Sequence, residues 1–334
     1  MSASFIGLGY CGWDHLCVLP HIPLDDKVKI DERIEQGGGP SATATYAAAR
    51  LGVPSAFWSA VGDDAQGGQI IAALEVVGVD VCGIRRRANS ASPIAYCWIE
   101  RETGKRSIAW SSGEVAPLSP SELPLDQLAT AEVLHLDGHQ TQAAIAAARF
   151  ARERGVLVSL DAGTFVPGIE TLLELSDIVI SSEKFAQRLC PGATPQAAAR
   201  HFFGLGKKLF TGVTLGNQGS VGYDGQKEYF QPIFPATVRD TTGAGDVFHG
   251  AFAASLIKFG RDWQECMRQA TMTSAIKCTK LGGRTGIPDA ETLRQALAAH
   301  KYPPARLVAT AGDTISPVPK AFPKHNTPGE RKAP

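Results

Sequence analysis

Short apolar runs rich in β-branched residues alternate with helix-like stretches through the middle of the chain. Residues 133–136, 156–160 and 178–180 read as buried strands, and the alanine-rich stretch 142–151 between the first two reads as a helix. This alternation predicts strand-helix-strand units and an α/β fold with a doubly wound, mostly parallel sheet. Two segments break the pattern. Residues 14–36 and 84–112 read as extended chain without helices, and Glu102-Thr103-Gly104-Lys105 falls where a turn would join strands at 94–99 and 106–110. Together they predict a small β-sheet lid over a site at the strand ends. One domain is expected over 1–300, followed by a proline-rich, disordered tail over 301–334 with little apolar periodicity.

Composition narrows the classes. With 334 residues, 44% of them hydrophobic and 20% charged, the chain can bury a large core. Its net charge is zero, so no basic field draws it to nucleic acid or an anionic membrane, and a small-molecule ligand is expected. No stretch approaches the roughly 18 apolar residues of a membrane span. The seven cysteines are scattered without metal-ligand spacing. They read as thiols of a reducing compartment, and with no leader-like N-terminus the expected location is cytoplasmic.

The segment richest in chemistry is Asp240-Thr241-Thr242-Gly243-Ala244-Gly245-Asp246, which runs into an apolar helix ending near Phe259. Thr241 or Thr242 is expected to cap that helix, with the N–H groups of Gly243, Ala244 and Gly245 bare in its first turn. Bare amides plus the helix dipole make a site for negative charge. Asp246 falls about one turn inside, near a bound phosphate and able to face a hydroxyl. The dipole is expected to keep it ionised, a weak base suited to the loose transition state of phosphoryl transfer. The plainer reading is a strand-to-helix loop with a helix-favouring acid.

The wider context resembles the ribokinase-like (PfkB) carbohydrate kinases. The run from Asp240 to Asp246, continued by Phe248 and Gly250, is similar to their C-terminal signature. Gly37-Gly38-Gly39, followed by a helix ending Ala48-Ala49-Arg50-Leu51-Gly52, resembles the N-terminal one, and Val61-Gly62-Asp63-Asp64 with Gly67 adds a third match. The resemblance implies ATP-dependent phosphorylation of a small sugar, with ATP and Mg2+ as cofactors. Asp246 would be the base and the amides of Gly243, Ala244 and Gly245 the anion hole. Asp14, Gly38, Gly39 and Thr43 would hold the sugar; Thr43 replaces a family asparagine. Thr214, Gly216, Gly219, Thr241 and Gly283 would border the nucleotide, and Asp240 and Thr242 a monovalent cation such as K+. The family's Asn-x-x-Glu motif reads Ser182-Glu183-Lys184-Phe185 here, which leaves Glu183 for the magnesium water shell. A homodimer through the lid is expected by analogy.

Gly37-Gly38-Gly39-Pro40 and Lys277-Cys278-Thr279, with Gly282-Gly283-Arg284, look most similar to the sulfofructose kinase branch. Lys27 stands where that branch places a sulfonate-binding lysine, while His139 stands where an arginine is expected and Trp110 near an expected asparagine. The acceptor is therefore expected to be a ketose or sulfosugar-like compound. A nucleoside kinase is the alternative, kept open by Trp110 and Tyr96. Gly7-x-Gly9-x-x-Gly12 raises an NAD-dependent oxidoreductase, but Trp13 to Pro23 reads as extended chain where that motif needs a helix. A non-catalytic sugar or nucleotide sensor on the same fold is the remaining rival.

Overall fold

A computed structural model describes residues 3–103, 106–300 and 306–308. The strands are β1 (Phe5–Leu8), β2 (Gly12–Leu19), β3 (Glu32–Gly38), β4 (Ser55–Gly62), β5 (Ile84–Arg87), β6 (Ile94–Glu100) and β7 (Arg106–Ser111), then β8 (Val133–Leu136), β9 (Leu157–Ala162), β10 (Ile178–Ser182), β11 (Phe210–Thr214), β12 (Ser220–Tyr223), β13 (Glu228–Gln231) and β14 (Arg306–Val308). The helices are α1 (Pro40–Arg50), α2 (Ala65–Glu75), α3 (Leu125–Leu128), α4 (Thr141–Glu153), α5 (Ile169–Leu175), α6 (Glu183–Leu189), α7 (Pro195–Phe203), α8 (Ala244–Phe259), α9 (Trp263–Lys277) and α10 (Ala290–Ala299).

Ten strands form the main sheet in the order β14-β13-β12-β11-β10-β9-β8-β1-β4-β5, parallel from β5 to β11 and antiparallel beyond. From β1 the chain first winds out through β4 and β5, then returns to β8 and winds the other way. The boundary between β1 and β8 is thus a topological switch point, where doubly wound folds leave a crevice. One apolar layer, including Ala143, Leu172, Phe185 and Phe202, packs α4 to α7 on one face. Another, including Ala48, Phe252, Met267 and Leu293, packs α1 and α8 to α10 on the other. The expected doubly wound α/β architecture is therefore the observed one.

The second sheet has four strands, β3-β2-β6-β7. Strand alternation gives it two unlike faces. Leu16, Cys97 and Ile99 of one face pack on Leu281, so this face looks toward the main sheet. His15, Tyr96 and Trp98 belong to the other, where the His15 and Tyr96 rings stack with centroids 4.8 Å apart. The expected lid segment 84–112 is split by the structure. Residues 84–87 are β5, which pairs with β4 at the edge of the main sheet and buries Ile84 there. Gly104 and Lys105 of the expected turn, and most of the expected tail, lie outside the described residues; residues 306–308 of that tail form β14.

Candidate active site

Helix α8 begins on Gly243, whose φ of 72° is left-handed and whose added Cβ would stand 3.0 Å from the Cα of Gly283. Glycine is required there on both counts. Neither threonine caps the helix. Thr242 instead donates its N–H to Asp240, and no side chain bonds the first turn. The Ala244 N–H is spent on the Thr241 carbonyl at 3.2 Å, so Gly243, Gly245 and Asp246 are left with N–H groups lacking a backbone partner among the described residues. Of the three amides the glycine spacing implied, those of Gly243 and Gly245 are open, and that of Asp246 takes the place of Ala244.

On one side of this helix mouth lies a cavity of about 340 Å³. Thr214, Gly216, Gly219 and Thr241, all expected at the nucleotide, line it together with Ala244 and Gly245. Gly216 and Gly219 both have positive φ, which produces the tight turn after β11. Gly283 does not line the cavity but packs behind Gly243. The sequence reading missed much of the rest of the wall, including Phe234 and Val238 on the strand-free segment after β13, and Thr271, Ser274 and Cys278 on α9 and just past it. No local motif marks them, because the first two arrive with the chain leaving β13 and the other three with the packing of α9 on α8.

On the other side stand Asp14, Gly38, Gly39 and Thr43. A Cβ on Gly38 would lie 2.2 Å from Asp14 Oδ2, and one on Gly39 2.4 Å from the Tyr10 carbonyl, so this wall depends on bare backbone. Asp14 opposes Ala95 on β6, which opposes Trp110 on β7, and this places the exposed indole of Trp110 on the same lid face as Asp14. Tyr96 is on the opposite face. Thr43 is buried, and its hydroxyl oxygen accepts from Arg284 Nε at 3.2 Å. Arg284 also donates to the Gly38 carbonyl at 3.1 Å and lies over the Tyr46 ring, with one terminal nitrogen unpaired. The sequence quoted Arg284 only as motif; its flanking glycines, which signal close backbone approach, were the available clue.

Beneath the cleft, at the switch point, Asp137 accepts the N–H groups of Tyr10 and Ser41 at 2.8 and 3.0 Å and fixes the ends of β1 and β8 against α1. His139 pairs with Asp137 at 3.3 Å. Lys27 lies on the exposed loop between β2 and β3, and no described contact ties its ammonium to the cleft. Lid residue Arg106, also missed, reaches Thr241 and Thr242 hydroxyl oxygens at 3.2 and 3.4 Å.

Electrostatics reverse one expectation. Asp246 is pushed up to about 7, first by burial and then by the neighbouring carboxylate of Asp161, with Asp137 and Asp14 adding to it and His249 opposing. Desolvation and like charge outweigh the helix dipole, which acts only over the first turn. Asp14 is likewise raised, to about 6, by burial against the pull of Arg284. Asp161 itself is held low, despite burial, by its 3.2 Å pair with the buried His249.

Metal and rival readings also meet the geometry. Ser182 caps α6, and Phe185 is buried in a stack on Phe165, so neither can stand in for the absent Asn or Glu. Glu183 opens α6 directly after Ser182, which pairs with Thr214 at the edge of the cavity. A single carboxylate one residue from a strand end that borders the cavity is compatible with Mg2+, which keeps most of its waters. A monovalent cation does not fit at Asp240 and Thr242. Both Asp240 carboxylate oxygens accept backbone N–H groups, from Thr242 and Gly282, and its carbonyl accepts the Lys277 ammonium. The dinucleotide reading fails on local structure: Gly12 opens β2 rather than a helix, while Gly7 and Gly9 make room for Thr45 and Asp137.

Comparison with known proteins agrees with this architecture. The ribokinase of Arabidopsis thaliana, solved in complex with ribose and ATP, superposes with a TM-score of 0.77 over 91% of this chain and 100% of that one, at 26% identity. The ATP-dependent ribose-1-phosphate kinase of Halopiger xanaduensis is 25% identical over 84% of this chain and 93% of its own length. The nucleoside kinase of Methanothermobacter thermautotrophicus is 24% identical over 90% and 98%. Residues 16–290 match the pfkB family carbohydrate kinase description, and the chain belongs to that family.

Proposed function

We propose that the protein transfers the γ-phosphoryl group of ATP to a hydroxyl of a small sugar, with Asp246 as the base. The observation that carries this is the position of the α8 mouth, with the cavity at Ala244 and Gly245 on one side and the Asp14–Gly38 wall on the other. The acceptor hydroxyl oxygen forms a bond to the γ-phosphorus as the bond to the β-phosphate bridging oxygen breaks. The hydroxyl proton passes to an Asp246 carboxylate oxygen, and ADP leaves. The N–H groups of Gly243, Gly245 and Asp246 meet charge on the transferring oxygens. Glu183 would hold Mg2+ through water; the ion, when bound, neutralises phosphate charge. Arg106 lies where it would cover the same phosphates from the lid.

A ketose or sulfosugar-like acceptor is supported by the glycine motifs, and Lys27 and His139 are the groups that would meet an anionic substituent. A nucleoside acceptor is favoured by one observation, the exposed Trp110 indole on the Asp14 face, a surface on which a base would stack. Exposed Tyr96 and Trp98 on the outer lid face support a homodimer through the lid, a state that sedimentation equilibrium would read directly.

ADP release measured over ketoses, sulfosugars, pentoses and nucleosides identifies the acceptor. With the best one, Asp246→Asn is expected to lose about 10³-fold in turnover, as when a positioned proton acceptor is removed. Near wild-type turnover by that variant would remove Asp246 from the reaction.

A further inference from the structure

The turn from Asp240 to Thr242 leads into the helix mouth, and the carboxylate and carbonyl oxygens of Asp240 already accept hydrogen bonds. Thr242 N–H and Gly282 N–H, each at 2.8 Å, occupy the two Asp240 carboxylate oxygens. From below, Lys277 brings a fully buried side chain, 0% exposed, and donates Nζ to the Asp240 carbonyl at 2.9 Å. From above, Arg106 lies against both threonine hydroxyls. Gly286 seals the arrangement, since a Cβ there would stand 2.4 Å from the Lys277 carbonyl oxygen.

A monovalent cation binds in a ring of oxygen atoms with negative ends turned toward it. Here each carboxylate oxygen already faces an N–H group, and an added cation near the carbonyl would sit beside the fully buried Lys277 ammonium, where like charges repel strongly. The lysine supplies the same unit positive charge at the same turn and has no other hydrogen-bond partner among the described residues. An ammonium carried by the chain does so without a binding equilibrium.

We propose that the Lys277 ammonium takes the place of the monovalent cation expected beside Asp240 and Thr242, so that the helix mouth is held in its working shape without K+. This rests on the kinase reading for its kinetic arm but not for its binding arm.

In tetramethylammonium buffer free of K+, Na+ and ammonium, the wild-type protein is expected to turn over within about twofold of its rate in potassium buffer of equal ionic strength. Lys277→Ala, which removes the ammonium from the Asp240 carbonyl and opens space beside it, is expected to lose on the order of tenfold or more in that buffer and to regain turnover saturably with K+ or ammonium. Saturable activation of the wild type by K+ would overturn the proposal, as would an alanine variant as active as wild type without cations. Thermal melting gives a readout independent of turnover and of whether the variant folds. The wild-type midpoint should not respond to K+ beyond the effect of matched tetramethylammonium, and a specific, saturating rise with K+ would equally refute the idea.

Discussion

Buried beside the Asp161 carboxylate, Asp246 holds its proton to higher pH than an ordinary aspartate does. The motif identified it, but its acidity is a property of neighbours that arrive from β2, β8 and β9, and no spacing in the chain reveals them. Since its carboxyl is raised to about 7, it is ionised only above that pH. kcat/KM is therefore expected to fall as pH drops through about 7, following the free enzyme's base. Asp161→Asn removes the largest neighbouring negative charge and should move that limb to lower pH by about one unit. A limb that stays in place in a pH–rate comparison of the two proteins would show that Asp161 does not act on Asp246. Arg284 was equally hidden: its partners Gln36, Gly38 and Thr43 lie more than 240 positions away.

Among the elements, α8 illustrates what patterning can convey. Its limits and apolar character were readable, since the glycine-rich start and a buried run from Val247 to Leu256 sit in one continuous segment. Its crossing against α1 was not, because the contact is made by a residue without a side chain. Gly250 faces the Ala44 carbonyl so closely that a Cβ would stand 2.1 Å away. Gly250→Ala is expected to cost about 2 kcal/mol or more through overpacking, measurable as a lower denaturant midpoint. An unchanged midpoint would mean that the two helices can part freely. The parallel strands β8, β9 and β10, being continuous apolar runs, were legible within one or two residues, whereas β4 was not read from the sequence at all. β5 was assigned to the lid instead of the main sheet because a four-residue strand offers no period from which its partner can be inferred.

For the molecule as a whole, sequence order already carried the doubly wound arrangement, while the division of labour between the two sheets emerged only from register. The far border of the main sheet adds a consequence of its own. The last described residues, 306–308, run antiparallel along β13 and occupy the hydrogen-bonding groups on its outer side. A chain stopped at residue 300 would keep every group proposed for chemistry yet bare that row of amides and carbonyls. Bare strand borders recruit other chains, so the shortened protein should scatter more light on standing or warming than the full one while its initial turnover per folded molecule stays the same. The final residues would then act as a selvedge, stopping the weave from picking up foreign thread.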